Sequence, residues 1–235
     1  ANDGLKNDEL TIIFNEYIKT EEYQMEVQNY ISNNALVITV ITFIIFGFIL
    51  FKVYRGYKKD YDKKISFKNI FIFVILGVTV NLSYNLIIGS LNKLVLFSDD
   101  YFIISIDILT YMVCTGILGP ILEELLFRGI VFNRLKKFNK QMKAILLTSF
   151  IFAFFHSNII QMIYAFCLSF LLIYVYEKYK SIKAPIIVHI ASNIMNFFTC
   201  MLINNNNLFI NSLLMIVSFI ILFLFHRNLF KKDLL

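Results

Sequence analysis

Long apolar runs alternating with short charged segments constrain this chain more than any other feature. Residues 35–51, 70–80 and 208–225 are almost wholly apolar, and the Lys and Arg residues fall between such runs. A hydrocarbon core about 30 Å thick asks for stretches of roughly 20 apolar residues. The chain is 58% hydrophobic, beyond the roughly 45–50% apolar usage of soluble domains. The pattern predicts an all-α, polytopic transmembrane helical bundle of about seven spans: about 35–52, 69–90, 102–133, 143–158, 160–177, 184–203 and 208–226. A polar arm, 1–34, precedes a single transmembrane domain, 35–235. The arm does not read as a signal peptide. Its Leu10, Ile13, Phe14, Tyr17 and Ile18 recur at helical spacing, which suits either a surface helix or a free arm.

The basic residues set an orientation. Lys52, Arg55, Lys58, Lys59, Lys63, Lys64 and Lys68 separate the first two spans. Arg134, Lys136, Lys137, Lys140 and Lys143 follow the third, Lys178, Lys180 and Lys183 the fifth, and Arg227, Lys231 and Lys232 the last. The opposite segments hold only Lys6, Lys19 and Lys93. Positive charge marks the cytoplasmic side, so the N-terminus is expected outside and the C-terminus inside. The net charge of +6 is thus a membrane feature and implies no nucleic-acid partner. Cys114, Cys167 and Cys200 each stand alone in an apolar run, without the paired spacing of a zinc knuckle or a disulfide framework.

The third span is too long for one straight crossing, and Gly119-Pro120 lies inside it. Proline in a helix interior breaks or kinks it. A steeply tilted, broken or re-entrant segment is expected there, with the kink as a cavity wall.

Ionisable residues at membrane depth are costly and mark function. Glu124 and Arg128 are four residues apart, acid first, the favourable order for an ion pair on one helix face. Glu123 points about 100° away and is left for chemistry. Phe152 and His156, and His189 and Asn193, form two further four-residue pairs. Either pair alone would read as a hydrogen-bonded core histidine or as interhelical glue. Counted at 1.5 Å per residue from the basic ends, Glu123, His156, His189 and Asn193 lie about 15, 20, 8 and 14 Å deep, a shared band. His226 sits beside Arg227 at a span end; Asp107 falls near the outer surface; Asn81, Ser83 and Asn85 either line a cavity or bond to neighbours.

The ordered motifs EExxxR (Glu123 to Arg128), FxxxH (Phe152 to His156) and HxxxN (His189 to Asn193) resemble those of the CPBP family, the CAAX proteases and bacteriocin-processing enzymes also called Abi. The Ras-converting CAAX endoprotease belongs to that family. The resemblance covers about 100–203. It implies intramembrane endoproteolysis of a membrane-associated peptide or protein. Glu123 and His156 would activate a water, His189 and Asn193 would stabilise the oxyanion, and Glu124 and Arg128 would support the site. A glutamate away from bulk water suits a general base near neutrality.

No cofactor is expected. Zinc on Glu123, His156 and His189 is the alternative use of the same residues, although there is no HExxH and each ligand would come from a different helix. Two other functions compete: a non-proteolytic membrane adaptor or bacteriocin self-immunity protein, and a proton-coupled transporter. The latter is disfavoured because no repeated halves are seen. Multi-pass placement in a cell membrane is expected, and the Asn, Lys, Ile and Phe-rich composition points to a bacterial source. Nothing in the residues selects a substrate.

Overall fold

A computed structural model of the chain describes residues 7–57, 61–92, 108–156, 158–202, 214, 216–218 and 220–221. Expectations on Lys6, Lys93, Asp107, His226 and most of the last span fall outside these. The described residues form helices: α1 (Asn7–Tyr17), α2 (Glu21–Tyr54), α3 (Phe67–Asn92), α4 (Ile108–Tyr111), α5 (Gly119–Leu126), α6 (Asn133–Phe138), α7 (Gln141–Phe154), α8 (Ile159–Tyr179) and α9 (Lys183–Leu202). Three of them, at Glu21–Tyr54, Phe67–Ile87 and Ile159–Tyr179, are long and apolar enough to cross a membrane.

Residues 21–34 are helical and continuous with the first apolar run. Thr20 caps α2, accepting from the Tyr23 N–H at 3.3 Å, and the helix runs unbroken from Glu21 to Tyr54. At 1.5 Å per residue it is about 51 Å long, so its first turns extend well beyond a 30 Å hydrocarbon layer. Its apolar side chains, such as Ile44, Phe46 and Phe48, are exposed, as lipid-facing residues must be. The Leu10, Ile13, Phe14 and Tyr17 face of α1 is exposed as well.

Of the tilt, break or re-entrant turn expected around Gly119-Pro120, a break in the helix is not seen. Backbone from Ile108 to Phe138 stays helical, but two stretches, Met112–Leu118 and Phe127–Phe132, wind as π-helix on either side of α5. Proline removes one backbone donor and crowds the turn before it. Pro120 falls in the first turn of α5, directly after a π stretch. The wider π turn before it absorbs the mismatch.

The chain turns tightly from α7 to α8 to α9. Asn158 caps α8, its Oδ1 accepting from the N–H groups of Ile160 and Gln161. Lys180, with φ of 47°, ends α8 in the left-handed conformation, a common helix stop. Pro185 is accepted in the first turn of α9. The connections of α2–α3 and α8–α9 meet in one antiparallel bridge, Asp62 with Ser181. There Tyr61 stacks on Tyr176 at 4.2 Å. Its hydroxyl donates to Glu177, which also holds Lys136 at 2.6 Å and Lys180 at 2.8 Å.

Among the described residues, α3 packs most extensively on α9. Phe73 and Leu76 of α3 are buried with Val188 of α9 and with Leu168, Leu172 and Val175 of α8. Helix association in lipid depends on close packing and hydrogen bonds rather than on escape from water. Gly77 permits that closeness: a Cβ there would lie 2.2 Å from the Val188 carbonyl oxygen.

Candidate active site

The buried pair comes first. Glu124 and Arg128 stand one turn apart, Glu124 near the end of α5 and Arg128 in the following π turn, both fully buried. Arg128 Nη1 donates to Glu124 Oε1 at 2.8 Å, and Nη2 donates to the Ser169 carbonyl of α8 at 3.2 Å. The guanidinium also lies 4.7 Å above the Phe152 ring of α7. This cation thus fastens α5, α7 and α8 together. The ion pair expected from the four-residue spacing is present, and its second anchor is a backbone carbonyl that no sequence motif announces.

His189 of α9 joins this pair. Its Nδ1 is 2.8 Å from Glu124 Oε1. A carboxylate only accepts, so Nδ1 carries the proton and Nε2 of a neutral ring is left with its lone pair. Nε2 faces Glu123 Oε2 at 3.8 Å, beyond direct hydrogen-bond range. The two glutamates differ sharply in setting: the Glu123 side chain is 40% exposed and that of Glu124 is 0%. Adjacent residues on α5 are therefore divided into a buried anchor and an accessible carboxylate.

Asn193 lies one turn beyond His189, half-buried. Its Nδ2 donates to the Thr115 carbonyl in the first π stretch at 3.0 Å, which leaves one amide N–H and the Oδ1 available. His156 is placed differently from expectation. Helix α7 ends at Phe154, so His156 belongs to the turn after it rather than to a helix face shared with Phe152. Its Nδ1 is 3.1 Å from the Phe152 carbonyl. The Phe152 ring is near both histidines, 5.1 Å from the His156 ring and 6.0 Å from that of His189. Among the described residues, the histidine that pairs with the glutamates is His189.

These positions bear on a metal. Nδ1 of His189 is committed to Glu124, and Nδ1 of His156 lies 3.1 Å from the Phe152 carbonyl. Among the described residues no group of three His, Cys, Asp or Glu side chains is set to hold a metal ion.

Comparison with known proteins bears on the central part of the chain. Residues 105–195 match the family model described as type II CAAX prenyl endopeptidase Rce1-like. A Bacillus subtilis protein provisionally named membrane peptidase YdiL is 32% identical over 82 residues. That match covers 35% of this chain and spans about a third (34%) of the relative's length. No solved structure matches. Glu123, Glu124, Arg128, His156, His189 and Asn193 all fall inside residues 105–195, the segment that is similar to the Rce1-like family model.

Proposed function

We propose that this protein is an intramembrane endopeptidase that cleaves a membrane-associated peptide or protein by glutamate-activated water. One observation carries the reading: a fully buried Glu124–Arg128 pair orients His189 beside the accessible carboxylate of Glu123. A purely structural ion pair has no use for the second, exposed acid.

In this reading Glu123 takes a proton from water, and the hydroxide attacks the scissile carbonyl carbon. The carbonyl oxygen becomes an oxyanion, and Glu123 passes its proton to the departing amine. Asn193 offers its remaining N–H to the oxyanion. Preorganised donors of this kind contribute about 3–4 kcal/mol each in a water-poor site. The tautomer adds a condition. With Nδ1–H held by Glu124, Nε2 of His189 donates only when the ring is an imidazolium. Neutral His189, by contrast, accepts through Nε2 and shares with Glu123 the task of orienting the water. His156, half-buried beside Phe152, is given a share in activating the same water by the motif resemblance. Seven spans, an outside N-terminus and a bacterial cell membrane complete the proposal.

The test compares wild type with Glu123→Ala in matched cells, by mass spectrometry of membrane and released peptides. A cleavage product present in wild type and absent from the variant at equal expression is the expected outcome. Identical peptide sets, with the wild-type phenotype preserved, would favour a non-proteolytic adaptor or immunity protein.

A further inference from the structure

We propose that Asn81 of α3 is a positioning residue for this reaction, fixing with Tyr164 of α8 the rotation of α9 that turns His189 toward both glutamates. Its effect on rate rests on the peptidase reading; its geometric part does not.

Asn81 is 2% exposed and sits at the centre of a polar set joining three helices. Its Nδ2 donates to Asn196 Oδ1 at 3.2 Å. Its Oδ1 accepts from Asn85 Nδ2 at 2.9 Å and from Thr199 Oγ1 at 3.1 Å. It also hydrogen-bonds the Tyr164 hydroxyl, which in turn lies 2.6 Å from Ser192 Oγ. The Tyr164 ring is stacked on Tyr84 at 4.1 Å, so its hydroxyl is held in place from α3 as well.

These bonds define an angle. At 100° per residue, Asn193, His189, Asn196, Ser192 and Thr199 occupy a single stripe of α9 roughly 120° wide. One edge, His189 and Asn193, meets Glu123, Glu124 and Thr115. The other edge, Ser192 and Thr199, meets Tyr164 and Asn81. Apolar packing in lipid is tolerant of rotation, whereas buried polar partners specify register. The α3–α8 edge therefore sets the azimuth at which the catalytic edge faces α5. A misplacement of about 1 Å can cost roughly 100-fold in rate.

The experiment uses the full chain, labelled with ¹⁵N-imidazole histidine, in lipid nanodiscs, with signals assigned from single His→Gln variants. Wild type is expected to show His189 protonated at Nδ1. In Asn81→Leu, which has similar volume and no hydrogen bonds, His189 should become a mixture of tautomers while the His156 signal stays put. Tyr164→Phe keeps the ring and its stack on Tyr84, and tests the same point if Asn81→Leu does not fold. On the peptide identified by the Glu123→Ala comparison, kcat should fall about 10- to 100-fold with KM unchanged. An unmoved His189 signal in a folded variant overturns the positioning role even where wild type cleaves peptide. A shifted signal in a protein that cleaves nothing upholds the geometry and removes the peptidase reading instead.

Discussion

Arg128 is the residue whose burial is hardest to sustain. Its charge has no exposed surface, and its three supports are the Glu124 carboxylate, the Ser169 carbonyl and the Phe152 ring. Among the described residues, Arg128 Nε and Glu124 Oε2 are buried with no hydrogen-bond partner, so the pair is not fully compensated. Removing one member of such a pair costs roughly 3–5 kcal/mol, because the other charge is stranded, while removing both costs far less. Arg128→Leu should therefore lower unfolding free energy by about 3–5 kcal/mol in detergent-based denaturation. Adding Glu124→Leu should recover much of that stability without recovering cleavage, since His189 then loses its anchor. A single variant as stable as wild type would show that the charge is not confined as described. The pair itself was legible in the sequence, as acid before base at helical spacing. The His189–Glu124 contact was not, because it joins helices 65 residues apart and depends on how α9 is turned.

At the scale of elements, sequence periodicity located α8 and α9 to within a residue or two of the expected spans. It misjudged elements whose ends are set by local backbone chemistry. Gly119-Pro120 reads as a tilt, break or re-entrant turn, but the backbone stays helical there, directly after a π stretch. The Phe152 to His156 spacing reads as one helix face, yet α7 ends at Phe154 and delivers His156 on a turn. Gly77 gave no signal at all, since one glycine in an apolar run announces neither partner nor distance. It nevertheless governs how near α3 comes to α9, with a Cβ expected 2.2 Å from one backbone oxygen, 2.8 Å from Ala191 Cβ and 2.9 Å from the Ser192 nitrogen. Two of those neighbours are backbone atoms, which cannot rotate away. Gly77→Ala should force the helices apart and cost about 1–3 kcal/mol, the usual range for overpacking. A thermal melt of the purified variant reads this directly, and a melt matching wild type would mean that the interface is looser than the distances indicate.

For the molecule as a whole, the charge pattern divided the connecting segments into two sets before any contact was known. The structure brings three members of the basic set to one end. The bridge between Asp62 and Ser181, the bond from Lys63 N–H to the Lys180 carbonyl at 3.0 Å, and the Glu177 contacts to Lys136, Lys180 and Tyr61 tie these connections together. Segments that share a contact must share a side of the membrane, so one labelled position reports for all three. Positive charge favours the cytoplasmic face, and in the proposed orientation α2 carries the N-terminal helix to the other side. In a chain whose Cys114, Cys167 and Cys200 are replaced by alanine, Lys64→Cys should resist a membrane-impermeant maleimide in intact cells and react once the cells are opened. Lys19→Cys, at the far end of α2, should react in intact cells. The reverse pattern would invert the whole bundle, and would present Glu123 and His189 to substrates entering from outside rather than from the cytoplasm.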